Sequence, residues 1–323
     1  MKRVAIIGAG NIGSRHLQAM SLSKQAYEIL VVDSYEPSLS KAKDMFEQCK
    51  SNVAHKVSYY ETLDVLPEMI DVAIIATSSD VRRTMVEELL AHTTVTYLIL
   101  EKVLFQSVDD YVFIEQYLKD HQVKAYVDCP RRGFAFYEQL KQRLATEESI
   151  EVMISGSNWG LGCNGIHMID LIGFVCGSEN PVVSIDGLVP NIAACKRPGF
   201  YEIHGTISGS MGRCRNFSIT SYESGNSPLT ITIMGNNFKG VISEGRHFME
   251  YATEDRNWEW SEETFEFPFI SQFTQYMVDA LIETGDCPLP TYEESMKLHL
   301  ALLTPLTSFF EQHGIGGKRC PIT

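Results

Sequence analysis

Residues 3–13 read RVAIIGAGNIG, an apolar β-branched run that stops on glycine and continues as Gly8-Ala9-Gly10-Asn11-Ile12-Gly13. This is GxGxxG between a strand-like run and the amphipathic stretch IGSRHLQAM, and Asp33 ends the next apolar run, YEILVVD, 20 residues after Gly13. Glycine-rich turns are common, but a preceding strand, a following helix and an acid at this spacing make a dinucleotide-binding βαβ fingerprint. Gly8 permits the tight turn, Gly10 lets the backbone approach a pyrophosphate, and Gly13 allows close helix packing. Asn11 and Ile12 open a helix whose first N–H groups point at the anion. Asp33 is expected to accept hydrogen bonds from a ribose diol and to repel a 2′-phosphate. Ser34 and Tyr35 supply no cation beside it, so NAD is predicted over NADP.

Outward from this stretch, strand-like and helix-like segments take turns through DVAIIAT, SDVRRTMVEELLAH, VTYLILEK, VDDYVFIEQYLKDH and VKAYVD. The alternation predicts a doubly wound parallel Rossmann sheet over residues 1–128. Its strands are nearly continuous apolar runs, as strands covered on both faces require. Residues 129–323 read differently. IEVMISGS, VVSIDGLV, EIHGTISGS, RNFSITSY, LTITIMG, KGVISE and HFMEYAT are separated by turn residues, which predicts a largely antiparallel open sheet, hence an α/β domain followed by an α+β domain. Two helical stretches close the chain and are free to pack back on the first domain. Pro305 is expected to kink the last one and Gly314 to cap it. His204, His247, Cys195 and Cys214 fall on expected strands and are assigned no chemistry.

The gross numbers narrow the class. A chain of 323 residues favours two domains, and 44% hydrophobic with 21% charged residues is ordinary globular composition. A formal net charge of −14 opposes nucleic acid and anionic membrane surfaces, which need clustered Lys and Arg. The start MKRVAIIGAG reads as a strand rather than a signal peptide, and no window approaches the roughly 18 apolar residues of a membrane span. The eight cysteines are scattered, with no CxxC pair, so reduced thiols in a cytoplasmic protein are expected.

Two further segments carry candidate chemistry. LEKVLF places Glu101 and Lys102 at the end of the fifth strand, the edge at which open α/β sheets bind ligands. GLGCNGIHMID spans residues 160–170, and Asn164 is expected to cap a helix beginning at Gly165, putting His167 in its first turn near the positive end of the dipole. Asp170 would lie near His167 on the helix surface, with Ile166, Met168, Ile169 and Ile172 toward the core. A metal site on Cys163 and His167 would need a third protein ligand, for which no nearby residue offers itself, so no metal is predicted.

The fingerprint, DVAIIAT, the Glu-Lys pair and the His-xx-Asp helix start together resemble the Gfo/Idh/MocA family of sugar-type dehydrogenases over nearly the whole length. The resemblance implies cofactor contacts from Thr77 and Glu101. It makes Lys102 the group that polarises the substrate oxygen and relays its proton, although the proline usual after that lysine is Val103 here. It makes His167 the residue that exchanges the substrate proton, while the aspartate usual four residues before it is Cys163. Cys163, Asn164 and Asp170 would then line the substrate. In CPRRGF, Arg131 and Arg132 either bind a substrate phosphate or carboxylate or are solvated linker charges. In SGSNWG, Asn158 and Trp159 either meet a sugar or, for Trp159, join the core.

The implied activity is hydride transfer between nicotinamide and a secondary hydroxyl or ketone of a sugar derivative, such as a nucleotide sugar or a surface-polysaccharide sugar. The alternatives are a non-catalytic sensor of dinucleotide and sugar, or an NAD-assisted glycosidase. A homodimer or homotetramer through the second sheet is expected on the same resemblance.

Overall fold

The computed structural model describes residues 1–51 and 53–323. The first series is β1 (Lys2–Ile7), α1 (Asn11–Met20), β2 (Tyr27–Val32), α2 (Glu36–Glu47), β3 (Lys56–Tyr60), β4 (Met69–Ile75), α3 (Arg82–His92), β5 (Thr94–Leu100), α4 (Val108–Asp120) and β6 (Lys124–Val127). Its six strands pair in the order β3-β2-β1-β4-β5-β6, all parallel. Val4, Ala5, Ile6, Ile7, Val72, Ala73, Ile74, Ile75, Leu98, Ile99 and Leu100 are buried, so the expected doubly wound sheet is present with its strands covered on both faces. The strand order reverses between β1 and β4, and that switch point gathers the loops after β1, β4 and β5 at the carboxyl edge.

The second series is α5 (Ala135–Arg143), β7 (Ile150–Ser157), α6 (Leu161–Cys176), β8 (Val182–Leu188), β9 (Ala193–Ala194), β10 (Tyr201–Glu202), β11 (Gly205–Met211), β12 (Cys214–Tyr222), β13 (Thr230–Gly235), β14 (Phe238–Ser243), β15 (Phe248–Thr253) and β16 (Ser261–Thr264). Eight of these strands form a sheet in the order β16-β15-β14-β13-β7-β12-β11-β8. Every neighbouring pair is antiparallel except β7 with β12, which is parallel because α6 intervenes between β7 and the strands that return beside it. Burial alternates along β7, with Ile150, Val152 and Ile154 inside and Met153 half exposed, the pattern of a sheet packed on one face. The inner face is covered by α6, on which Ile166, Met168, Ile169 and Ile172 are buried.

The chain ends with α7 (Thr274–Thr284) and α8 (Tyr292–Gln312). Pro305 lies inside α8, which continues past it to Gln312. Gly314 adopts φ +71 and donates its N–H to Glu311, while Ile315 donates to Phe310, the paired bonds of a Schellman C-terminus. Met1–Phe105, Asp109–Asp128 and Pro268–Glu293 make one compact unit, and Gln106–Val108, Cys129–Phe267 and Glu294–Thr323 make the other.

Three expected strand positions move. His204 falls in the break between β10 and β11, His247 takes a left-handed conformation ahead of β15, and Cys195 follows β9; only Cys214 begins a strand. Among the described residues all eight cysteines are free thiols, and no helix is long and apolar enough to cross a membrane.

Candidate active site

The glycine loop is built for two different kinds of closeness. A Cβ at Gly13 would fall 1.7 Å from the carbonyl oxygen of Gly8, and one at Gly8, where φ is +94, would press on Ala76 and Thr77 at 3.1 Å. These two glycines let α1 and β4 pack onto the loop. At Gly10 a Cβ would meet nothing within 4 Å, so its missing side chain leaves open space. Gly10 is also the N-cap of α1, which has no side-chain cap, and the first-turn N–H groups are left to serve a ligand anion. An uncapped helix start beside an open glycine fits the pyrophosphate of a dinucleotide.

Asp33 sits where expected, but its carboxylate holds the loop: Oδ2 accepts the Ala9 N–H at 2.6 Å and Oδ1 accepts the Tyr35 N–H at 2.9 Å. A cation absent from the local sequence also arrives, since Lys41 of α2 donates to Oδ1 of Asn11 at 3.1 Å.

The segments after β4 and β5 are joined by Arg82, the first residue of α3, which is 1% exposed. Its guanidinium donates to the carbonyl of Leu104 at 2.7 Å and to the carbonyls of Val103 and Thr77. Thr77 and the backbone following Lys102 are therefore fixed by one buried fork. The Lys102–Val103 peptide is cis. Lys102 itself is half-buried, whereas Glu101 points into the interior and brings Oε1 to 2.9 Å from Nε2 of His16. Burial would raise the Glu101 carboxyl, but the hydrogen bond and charge of His16, then the charge of Lys102, draw it down to about 2.

In the second unit the helix of GLGCNGIHMID starts earlier than its residues suggest. Gly160, at φ +80, is the N-cap, and α6 begins at Leu161. Asn164 does not cap; its Nδ2 donates to the Trp159 carbonyl at 2.8 Å. His167 consequently stands in the second turn, where the dipole acts less. The acid at this helix start comes from β10: Glu202 accepts the N–H of Gly162, and that of Ile203 at 3.0 Å. Cys163 is half-buried with its thiol 3.6 Å from the Gly160 carbonyl.

Asp170 is 1% exposed rather than on the helix surface, and it receives Arg132 through Nε at 2.9 Å and a second nitrogen at 2.8 Å. Burial raises the Asp170 carboxyl against the pull of that guanidinium. Arg131 forms a two-pronged pair with Glu244 at 2.8 and 2.7 Å, and Tyr137 donates to the same carboxylate. Neither arginine is a solvated linker charge, and both forks are taken up by carboxylates of their own unit. Trp159 donates Nε1–H to the Thr220 carbonyl at 2.9 Å and is half-buried, while Asn158 is exposed at φ +51.

Residues 2–129 match the family described as Gfo/Idh/MocA oxidoreductases with an NAD-binding Rossmann fold. No curated protein matches the sequence. Among solved structures, a Gfo/Idh/MocA family oxidoreductase from Vibrio cholerae is 17% identical with a TM-score of 0.71, covering 97% of this chain and 99% of its own. An oxidoreductase from Agrobacterium radiobacter in complex with NAD+, L-tartaric acid and magnesium is 16% identical with a TM-score of 0.70, covering 93% and 94%. UDP-N-acetylglucosamine 3-dehydrogenase from Acidithiobacillus ferrooxidans is 13% identical with a TM-score of 0.68, covering 94% and 96%. At these identities the likeness is one of fold.

Sequence reasoning missed Arg82, His16, Lys41 and Glu202. Arg82 carried a faint signal, a basic pair one residue after Ser78-Ser79-Asp80, shortly beyond a strand end. Glu202 carried none, because the partner it reaches lies 40 residues away.

Proposed function

We propose that the chain is an NAD-dependent oxidoreductase acting on a secondary hydroxyl or ketone of a sugar derivative, with NAD preferred over NADP. The observation that carries this reading is Lys102 at the carboxyl edge of a Gfo/Idh/MocA nucleotide-binding sheet, on a backbone that buried Arg82 holds in place. The nicotinamide, when bound, gives or takes the hydride. Gly10 and the α1 start hold the pyrophosphate, Asp33 organises the loop and faces the ribose, and Thr77 closes the cofactor site. Lys102 donates to the substrate oxygen and stabilises negative charge developing there, and His167 accepts or returns the hydroxyl proton. Asn158, Trp159, Cys163 and Asn164 contact substrate. Arg131, Arg132 and Asp170 act on it through the walls that their ion pairs brace.

Structural relatives that handle a nucleotide sugar or hold a hydroxy acid lend weight to a polyhydroxylated substrate. A cytoplasmic homodimer or homotetramer using the second sheet belongs to the same reading. The test is absorbance of NADH over a panel of sugars, sugar acids and nucleotide sugars. A substrate should emerge whose turnover falls at least about a thousandfold in Lys102→Ala, and near-full turnover in that variant would refute the assignment. A second reading, a sensor that binds dinucleotide without hydride transfer, draws on Cys163 standing where the family's carboxylate usually stands. Tight NAD binding with no turnover over the whole panel would favour it.

A further inference from the structure

His16, Glu101 and Asp128 gather three titratable side chains inside the nucleotide-binding unit. Nε2 of His16 is 2.9 Å from Oε1 of Glu101 and 3.8 Å from Oδ2 of Asp128, and a ligand-type atom of each lies within 4.8 Å of the others. The three are 0%, 6% and 3% exposed. Among the described residues, Oδ1 of Asp128 has no hydrogen-bond partner in this interior.

Two carboxyls in contact in a dry interior do not both ionise, because each charge loses its water and repels the other. A carboxylate oxygen of Glu101 and one of Asp128 lie within 4.8 Å of each other, so ionisation of one disfavours ionisation of the other. Burial first, then the charge of Glu101, pushes the Asp128 carboxyl up, while Glu101 is drawn down by His16 and Lys102. Of the two, Asp128 is therefore the one that favours the neutral acid. Glu101 as an anion only accepts, which requires a hydrogen on Nε2 of His16. The other ring nitrogen, Nδ1, lies 2.8 Å from the Thr274 hydroxyl, which donates or accepts equally well. The Thr274 hydroxyl therefore suits Nδ1 as donor or as acceptor.

Lys102 follows Glu101 directly, and its charge acts on both carboxyls. We propose that His16, Glu101 and Asp128 form a buried proton-holding triad that positions Glu101 and compensates changes of charge on Lys102. The inference rests on the reading of Lys102 given above. A lysine that shares a proton with a reacting hydroxyl changes its charge during turnover, and a rigid buried carboxylate would oppose one of its two states. A neutral Asp128 adds no second fixed negative charge beside the Glu101 anion, and the Thr274 hydroxyl meets Nδ1 of His16 in either hydrogen-bonding role. These are positioning residues, none of them touching substrate. The groups facing the triad are His16 from α1, Glu101 and Lys102 after β5, Asp128 after β6, Thr274 of α7, and Cys287 beyond α7. Burial pushes the Cys287 thiol up to about 12, so it adds no charge near neutrality.

The test reads protonation directly in the full-length protein. Infrared spectra of the wild type should keep a carboxylic-acid C=O band at neutral pH, where ordinary carboxyls are ionised, and Asp128→Asn should remove it. In Lys102→Met the titration of that band should move upward by about one pH unit, the effect of deleting one nearby positive charge. Spectra of 15N-labelled histidine, assigned with His16→Asn, should show Nε2 of His16 protonated. The wild-type band and the wild-type histidine spectrum need no variant, so a misfolded Asp128→Asn protein leaves both standing. A wild type lacking the band overturns the triad, and a band unmoved in Lys102→Met overturns its coupling to the lysine. Stoichiometric divalent metal with Nε2 unprotonated overturns it in favour of a metal centre. Loss of turnover in Lys102→Ala is read separately, so the two readings fail separately.

Discussion

Arg82 donates to the carbonyl oxygen of Leu104 at 2.7 Å while the same guanidinium holds the carbonyl of Thr77, so one side chain fixes the segments that follow two neighbouring strands. Removing the fork leaves several buried carbonyls unsatisfied. Arg82→Met should cost roughly 3 kcal/mol of stability, measured by urea unfolding, because hydrogen bonds from a charged donor contribute about 1.5–3 kcal/mol each and are not additive. Arg82→Lys, which keeps the charge but not the fork, should recover less than half of that loss. A neutral result for Arg82→Met would show that the loops hold themselves.

The glycine loop separates binding from folding. Gly10→Ala enters open space, so it should change stability by less than about 1 kcal/mol yet weaken NADH binding tenfold or more, read by fluorescence titration. Gly13→Ala must displace the Gly8 carbonyl and should lose both folding stability and binding. Equal effects of the two substitutions on stability would contradict this division.

Glu202 acts as a remote cap on α6. Glu202→Ala should destabilise the protein by about 1 kcal/mol, the usual value of a side-chain acceptor at a helix N-terminus. Amide exchange should quicken first at Gly162 and Ile203, whose N–H groups it accepts. Uniformly faster exchange throughout α6 would point to packing rather than capping.

The Arg131–Glu244 pair gives acid unfolding a defined sign. Burial works against the Glu244 anion, but Arg131 and then Tyr137 hold its carboxyl below the ordinary value of 4.5. A carboxyl depressed on folding contributes fully above the unfolded value, and that contribution fades as pH falls through the lower folded value. Glu244→Gln, which leaves Arg131 buried and unpaired, should cost roughly 3 kcal/mol at neutral pH, with the gap from wild type narrowing below pH 4.5. Asp170 runs the other way: raised above 3.8, it favours the fold most in acid and loses that contribution as pH rises through its folded value. Urea unfolding of the wild type, Glu244→Gln and Asp170→Asn across a pH series checks both signs.

The doubly wound sheet was legible because its evidence is local. Strand, glycine turn, helix and Asp33 follow one another within the first 33 residues, and the apolar runs of β1, β4 and β5 declare burial on both faces. The second sheet was legible as a set of strands, but not in the parallel pairing of β7 with β12, since register across a long excursion leaves no periodic trace. The start of α6 was misplaced because Asn164 is a good capping residue by type. The left-handed turn at Gly160 and the distant Glu202 decide the boundary instead. Likewise Arg131 and Arg132 look like an anion-binding fork in sequence, because their partners Glu244 and Asp170 lie 113 and 38 residues away. Charges advertise themselves in a sequence; what neutralises them does not.

Helix α1 carries two jobs on one rod of 10 residues. Its uncapped start meets the cofactor loop, and His16, three positions beyond Gly13 and on the same face, reaches Glu101. A rigid helix transmits displacement along its length, so retuning the loop for a different dinucleotide also re-aims the imidazole one turn away. A substitution that shifts the start of α1 therefore also shifts His16 against the Glu101 carboxylate.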